Sequence, residues 1–257
     1  MRTTTAEARH TSSGSPISLR MILAAFVLAF AVQLFAVQTT LVTSTAMEPT
    51  LEAGDHLLID KLAYGYSRYS FSYPGLGLDE GVVRFQGRFA ASSPKRGDLA
   101  VFRDPAHKGV DEVRRLIGLP GDKIEIRAGI LVINGEPIER KLIEEAPATD
   151  NMGQTMPAKE FAESLSSRVG YHIRSFGTAG SLNNTSAIEV PAGQYFVLGD
   201  NRDVAIDSRF PEMGMIPAEN LIGRAVLVLY SDKDTAPFWH VWTWGERFRL
   251  DRTFMVP

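Results

Sequence analysis

Residues that commonly perform chemistry do not occur here in the patterns that standard reactions require. The chain has no cysteine, so disulfides, thiolate metal ligands and a cysteine nucleophile are all excluded. The five histidines are His10, His56, His107, His172 and His240. They lack the spacing of metal ligands, so neither a metal nor a cofactor is predicted. The hydrolase motif Gly-x-Ser-x-Gly, the zinc-protease motif His-Glu-x-x-His and the phosphate-binding glycine loops are also missing from the sequence.

Charge is distributed unevenly along the 257 residues. The net charge is only −3 and no basic run occurs, so nucleic acid is not an expected partner. No charged residue lies between Arg20 and Glu48, and residues 21–42 are almost entirely apolar. As a helix, these residues would span about 33 Å, which is enough to cross a lipid bilayer. Residues 21–42 are therefore predicted to form a single transmembrane signal anchor.

Two other interpretations of this apolar stretch are weaker. A buried core helix would need protein on every face. A cleaved signal peptide fits the small residues Ala29 and Ala31, but cleavage there would leave the apolar residues 32–37 exposed. Arginines before the stretch and acidic residues after it predict a cytoplasmic amino terminus in the inner or plasma membrane, with residues 43–257 on the periplasmic or outer face. Residues 1–20 are predicted to be a disordered cytoplasmic leader.

The body that follows, residues 43–257, is predicted to be mainly β. Short apolar or alternating runs are separated by turn residues, and Asn134-Gly135 predicts a two-residue hairpin. The runs lie at 57–59, 99–102, 123–126, 130–133, 195–198 and 225–230. Outside the anchor, the one helical candidate is near residues 158–167. Residues 141–188 show little periodicity and are predicted to be a peripheral insertion.

Four sequence blocks, in order, resemble the signal peptidase I (leader peptidase) family. The first, at 44–51, reads Ser-Thr-Ala-Met-Glu-Pro-Thr-Leu. The second, at 94–102, reads Pro-Lys-Arg-Gly-Asp-Leu-Ala-Val-Phe. The third, at 113–124, reads Val-Arg-Arg-Leu-Ile-Gly-Leu-Pro-Gly-Asp-Lys-Ile. The fourth begins with Gly-Asp-Asn-Arg-Asp at 199–203 and continues to Asp-Ser-Arg at 207–209. The resemblance implies a membrane-anchored β protein that acts on signal peptides.

The family's chemistry, carried over by this resemblance, requires a serine nucleophile and a lysine base. In the family the serine directly precedes the methionine of the first block, and the lysine precedes an arginine of the third. Here those positions hold Ala46 and Arg114, and a supporting serine of the fourth block is replaced by Ala205. A methyl group cannot attack a carbonyl, and a guanidinium stays protonated at any relevant pH. No intact catalytic residue of the dyad is therefore expected.

The resemblance also implies which residues support the site. Ser44 matches a position that helps to form the oxyanion hole, Met47 belongs to the same block, and Asp207 with Arg209 matches a supporting ion pair. The family holds its peptide as an added strand beside the first and third blocks. That arrangement predicts a substrate groove lined by Thr43, Ser44, Thr45, Glu112 and Val113.

Two functions follow from these expectations. The first is an inactive homologue that binds signal peptides or preproteins at the lipid bilayer, or that regulates an active signal peptidase or the secretion machinery. The second is an active endopeptidase that removes signal peptides through non-standard residues. Ser44 and Thr45 are then the nearest hydroxyls, but no spare base is evident, since Lys123 is expected to be a solvated strand residue.

Overall fold

The structure, a computed structural model, describes residues 18–72, 85–149, 153–167, 169–177, 181–233 and 247–257. One α-helix, α1, spans Leu19–Phe35. The strands of the described residues are, in chain order, β1 (Val37–Leu41), β2 (Asp55–Asp60), β3 (Leu99–Arg103), β4 (Asp111–Gly118), β5 (Lys123–Arg127), β6 (Ile130–Ile133), β7 (Glu136–Pro137), β8 (Glu139–Thr149), β9 (Thr155–Ser166), β10 (Val169–Ser175), β11 (Ile188–Glu189), β12 (Gln194–Leu198), β13 (Ile216–Pro217) and β14 (Leu221–Ser231).

These strands form three antiparallel sheets. The main sheet has the order β1-β2-β14-β3-β4-β12-β13, with β1 and β13 at its edges. A second sheet has the order β10-β9-β8, and a third has the order β11-β5-β6-β7. The prediction of a mainly β body is confirmed.

Alternating side chains bury one face of the main sheet. Along β2, Leu57 and Ile59 are fully buried between less buried neighbours, as the period of a strand requires. They pack in one cluster with Met47, Val101 and Val228. This cluster places the first sequence block directly on the sheet.

The predicted hairpin is present at Asn134-Gly135. Both residues have positive φ angles, 55° and 87°, and the flanking Ile133 and Glu136 are paired. Asparagine and glycine are the residues that tolerate such angles at both central positions of a hairpin turn.

The predicted anchor differs from the structure at its carboxyl end. The helix stops at Phe35, and residues 37–41 form β1, which pairs with β2 from Val37 opposite Asp60 to Leu41 opposite His56. Gln38 and the threonines that follow it favour a strand, and apolar content alone could not separate this segment from the helix. Among the described residues, no helix has both the length and the apolar character needed to cross a membrane.

Helix α1 is tied to the sheet through its last carbonyl groups. The Lys61 ammonium donates to the carbonyl oxygen of Leu34 at 2.9 Å, and the Tyr66 hydroxyl donates to that of Phe35 at 2.8 Å. The backbone N–H of Lys61 donates to the carbonyl oxygen of Ala36 at 3.0 Å. Carbonyls at a helix end lack partners within the helix, so these bonds satisfy groups that would otherwise be unpaired.

The helical candidate near residues 158–167 is wrong, because β9 occupies most of this stretch. It pairs with β8 on one side and with β10 on the other. Tertiary pairing overrides local propensity here. Strands β8 to β10 therefore make up much of the stretch predicted as an insertion. The predicted leader, residues 1–20, lies outside the described residues apart from its last three.

A buried ion pair connects β4 to the loop after β12. Arg115 donates from Nε and Nη2 to the two carboxylate oxygens of Asp200 at 2.8 and 2.6 Å. Both side chains are almost fully buried, and the Arg115 guanidinium also stacks on Tyr171 of β10 at 4.3 Å. Bidentate geometry of this kind compensates two charges that have lost their water.

The buried Lys61 predicts a rise of stability with pH. Burial lowers the pKa of Lys61 to about 8, whereas an unfolded lysine titrates near about 10.4. Between these values the unfolded chain keeps a proton that the folded chain has released, so the free energy of unfolding rises with pH, by at most about 1.4 kcal/mol per pH unit. Melting temperatures in detergent from about pH 7 to 9.5 should rise, and Lys61→Met should remove the rise.

Lys123→Met is the matched control, because Lys123 is exposed on β5 and its substitution should leave the slope unchanged. If the melting temperature rises equally with pH in wild type and in Lys61→Met, Lys61 is not the source of the rise.

Removing one charge of the buried Arg115–Asp200 ion pair should lower the free energy of unfolding. Asp200→Asn leaves the Arg115 guanidinium without a counter-charge, and we expect a loss of about 3 to 5 kcal/mol in the free energy of unfolding. Urea denaturation measures this value. Glu125→Gln is the control, because Glu125 pairs with Arg127 at the exposed surface and should have no measurable effect. Equal effects of the two substitutions would contradict the assignment.

Candidate functional site

The first-block turn is held from both sides. Residues Thr45–Met47 form a short 3₁₀ turn, and the Ser44 Oγ accepts a hydrogen bond from the Ala46 N–H at 3.0 Å. From the other side, Asn201 donates from its backbone N–H to the Ala46 carbonyl at 3.0 Å and from Nδ2 to the Thr45 carbonyl at 3.1 Å. Position 46 is thus fixed in place by the fourth block.

Ala205 lies next to the same turn. A β-carbon added at Gly199 would be 2.1 Å from the Ala205 Cβ and 2.7 Å from the Ala46 carbonyl oxygen. Both alanines therefore approach one glycine. Ala205 and Ala46 are buried, with 1% and 3% of their surface exposed.

Arg114 comes from β4 and reaches the residue after Ala205. Its Nε donates to the Ile206 carbonyl at 3.0 Å. Its Nη1 donates to a Glu112 carboxylate oxygen at 2.8 Å and to the Val113 carbonyl at 2.7 Å. The Arg114 side chain is only 4% exposed. Ala46, Arg114 and Ala205 are therefore gathered in one place.

A cavity of about 460 Å³ lies at this place. Of the residues predicted from the sequence, it is lined by Thr43, Ser44, Thr45, Ala46, Glu112 and Arg114. A second, small cavity of about 30 Å³ lies between residues 40–44 and 111–114 and includes Met47 and Val113 in its lining. The two cavities share Thr43, Ser44, Glu112 and Arg114, so together they form one groove.

Two strand edges border this groove. Residues 111–114 of β4 pair with β3 on one side, and on the other side the described pairing with β12 starts only at Arg115. Strand β1 is an edge strand whose described partner is β2. An extended peptide can add to edges of this kind through its backbone. Arg114 already occupies one of the edge carbonyls, that of Val113.

Asp207 and Arg209 lie behind the groove and form a bidentate pair. Arg209 donates from Nε and Nη2 to the two Asp207 oxygens, each at 2.8 Å. Asp207 also accepts from the backbone N–H of Gly199 at 3.0 Å, and it is fully buried. The pair therefore holds the loop that carries Ala205.

Burial changes the acidity of two carboxyl groups beside the groove. Desolvation raises the pKa of Asp111, even though Arg103 donates to it at 2.7 Å. Desolvation likewise raises the pKa of Glu48, against the opposing effect of Arg174, which donates to it at 2.6 Å. Arg174 belongs to β10, so the second sheet supports the first block.

The structure adds site residues that the sequence did not indicate. Asp104 and His107 line the larger groove cavity, and the His107 Nδ1 lies 2.7 Å from an Asp104 carboxylate oxygen. Asn201 belongs to the fourth block, where the sequence assigns it no role, and in the structure it fixes the first-block turn. Only folding brings His107 beside the first-block turn, since it lies in the loop between the second and third blocks, far in sequence from residues 44–51, and belongs to no motif.

Two lysines lie away from the groove. Lys123 is exposed on β5, and Lys61 follows the end of β2 that is farther from the first-block turn. Within the described ranges, no three histidine, aspartate or glutamate residues are grouped so that they could hold a metal ion.

A larger cavity, of about 620 Å³, lies elsewhere. It is bordered by β6, β9 and the loop at residues 183–184, and Arg209 is its only predicted site residue. Size alone therefore does not identify the site, and the convergence of the sequence blocks is the better guide.

Comparison with known proteins agrees with the four blocks. Residues 17–230 match the family described as signal peptidase, peptidase S26. The signal peptidase I of Rickettsia typhi is 35% identical over 227 residues, which cover 83% of each chain. That of Rickettsia bellii strain OSU 85-389 is 33% identical over 231 residues, covering 83% of this chain and 75% of the relative.

Among solved structures, a signal peptidase I from Enterococcus faecalis V583 is 26% identical, with a TM-score of 0.31 over 52% of this chain and 97% of that one. The family match covers most of the sequence and includes all four blocks. The chain belongs to the signal peptidase I family, peptidase S26.

Proposed function

We propose that this protein binds signal peptides without cleaving them. The observation that carries the proposal is the groove itself, where a methyl group at Ala46 and a guanidinium at Arg114 line one cavity. The groove offers backbone edges for a peptide but lacks the two groups that would attack its carbonyl.

The lysine base that the family uses is not replaced by another lysine at the groove. Hydrolysis by this family's route needs a hydroxyl or thiol nucleophile and a base that can be neutral at working pH. Arg114 remains protonated, and its Nε and Nη1 are committed to carbonyl and carboxylate oxygens. No lysine is among the described residues that line the larger groove cavity, so none of them replaces the base.

Peptide binding depends on backbone groups, and apart from the Val113 carbonyl, which Arg114 occupies, the substitutions leave these groups in place. The backbone edges at residues 40–44 and 111–114 do not involve the side chain at position 46. Hydrogen bonds from an added strand are made by backbone groups, so they survive the loss of a catalytic side chain. This is why we infer that recognition is retained while hydrolysis is lost.

We further infer that α1 inserts into a membrane, and the charges that flank the apolar stretch favour the outer face for the β body. Apolar side chains cover its surface, and none of its residues is buried by the rest of the chain. Phe26, for example, is 70% exposed. Such a continuous apolar surface favours lipid over water.

One observation favours a second function, that of an active peptidase with a different base. A carboxylate such as Asp104 only accepts hydrogen bonds, so His107 Nδ1 is the donor of this contact, and in a neutral imidazole the other nitrogen, Nε2, is an acceptor. Ser44 lines the same cavity and carries a hydroxyl. An aspartate–histidine pair near a hydroxyl is the arrangement that activates a serine in other hydrolases.

Restoring the dyad tests the main proposal. The protein is reconstituted in lipid with a preprotein that carries an ordinary signal peptide, and the mature amino terminus is followed by mass spectrometry. We expect no cleavage by wild type and clear cleavage by Ala46→Ser/Arg114→Lys, with Ala205→Ser increasing the rate further because its hydroxyl can orient the lysine. Each single substitution should stay inactive, since nucleophile and base are both required.

The same assay separates the second function. Cleavage at the normal site by wild type would overturn the binding proposal. If that cleavage were then lost in both Ser44→Ala and His107→Ala, the activity would be assigned to the aspartate–histidine pair. Thr43→Ala serves as the control for a groove residue with no assigned role in that reaction.

The membrane inference is tested by alkaline extraction. Membranes from cells that express the protein are washed in sodium carbonate, and we expect the protein to stay in the pellet. Replacing Phe26 and Phe30, which are exposed on α1, with aspartate should move it to the supernatant, since charges are costly in hydrocarbon. Release of wild-type protein by the wash would contradict insertion.

A further inference from the structure

The Arg114 guanidinium keeps one unused nitrogen at the groove. Nε and Nη1 make the bonds to Ile206, Glu112 and Val113, but Nη2 makes no hydrogen bond with any residue that the structure describes. Arg114 is among the residues that line the larger groove cavity, so its guanidinium can contact a ligand there. A guanidinium prefers a carboxylate or phosphate oxygen as its partner.

Ala46 leaves space in the same cavity. An alanine is smaller than a serine by one oxygen atom, so position 46 leaves more room than a serine would, and Ala46 lines the cavity. Ser44 lies beside this space, and its Oγ uses an acceptor lone pair for the Ala46 N–H. Its hydroxyl proton can therefore still be donated to a ligand oxygen.

We propose that the groove selects peptides that end in a free carboxylate at the point where the family cuts its substrates. One carboxylate oxygen would take the position of the peptide carbonyl oxygen and accept from Ser44. The other would fill the space left by the missing hydroxyl and accept from Arg114. Such a peptide is the product of signal peptide cleavage, whereas an uncut preprotein continues through the site and carries no charge there.

This inference rests on the proposed function, because it assumes that a peptide lies along the groove. It goes beyond that function by choosing between cut and uncut signal peptides. It also gives a single reason for both substitutions, since the methyl group provides room for the second oxygen and the guanidinium provides its counter-charge.

Glu112 sets a limit on the strength of this interaction. Its carboxylate pairs with Arg114 Nη1 and lines the same cavity, so it repels an incoming carboxylate. The net charge of the Arg114–Glu112 pair is close to zero. A ligand carboxylate is therefore bound by the hydrogen bond from Arg114 Nη2 rather than by an uncompensated positive charge. Glu112→Gln removes the repulsion and should therefore strengthen carboxylate binding.

The test compares three forms of one peptide on the full chain reconstituted in lipid nanodiscs. The peptide is the carboxyl-terminal half of a signal peptide that ends in Ala-Gln-Ala, labelled at its amino end. It is prepared with a free carboxylate, as a carboxamide, and extended by five residues of mature sequence. Fluorescence anisotropy gives each Kd. We expect the free carboxylate to bind about tenfold more tightly than the other two forms.

Four variants assign the preference to the groove. Arg114→Gln should abolish the preference, and Ala46→Ser should reduce it by refilling the space. Glu112→Gln should increase it. Arg127→Gln is the matched control, because it removes an exposed arginine on β5 and should not alter the preference.

The outcomes separate the two proposals. If no form binds, the proposed function is overturned and this inference with it. If all three forms bind equally, only the inference is overturned. A carboxylate preference that persists in Arg114→Gln would also overturn it, because another cation would then be responsible. Should Arg114→Gln not fold, Ala46→Ser and Glu112→Gln must still shift the preference in opposite directions.

Discussion

The arrangement of the site depends on a close approach of two chain segments at Gly199. No side chain fits there, since a β-carbon would lie 2.1 Å from Ala205 and 2.7 Å from the carbonyl oxygen of Ala46. The approach lets Asn201 hold the first-block turn through two hydrogen bonds. The turn at position 46 and the loop at position 205, far apart in sequence, are thereby fixed to each other.

Buried charges then hold this loop against the sheet. Asp207 accepts from the Gly199 N–H and pairs with Arg209, while Asp200 pairs with Arg115 of β4. None of these contacts involves the side chain at position 46 or 205. The contacts that hold this loop and the first-block turn together are therefore independent of those two side chains.

Much of the fold was predictable because strand patterns are local. Runs such as Ile130–Ile133, followed by Asn134-Gly135, specify their own hairpin. The errors occurred where local pattern is ambiguous. The apolar stretch after Phe35 becomes strand β1 because it pairs with β2, and residues 158–167 are mostly strand for the same reason. Pairing partners are set by the whole chain, so a short window of sequence does not reveal them.

Only the site residues that lie in or directly beside one of the four sequence blocks could be predicted. Ala46 and Arg114 were indicated by their place in two blocks, and their shared cavity is a fact of the structure alone. Asp104 and His107 had no such signal, because a histidine in a loop is common and its approach to the groove is a tertiary contact. The bond from Arg114 to the Ile206 carbonyl was equally invisible, since it joins two residues 92 positions apart.

The attachment of α1 also has a consequence for where ligands can come from. The helix is followed by β1 after a single residue, and its last carbonyls are bound by Lys61 and Tyr66. The helix is therefore attached to the sheet without a flexible linker. Strand β1 rises about 3.4 Å per residue, or about 17 Å over its five residues, before the chain reaches the groove. With α1 in lipid, the groove would stand at a set height above the bilayer. Its ligands would then be chain ends that emerge from the lipid surface within that reach.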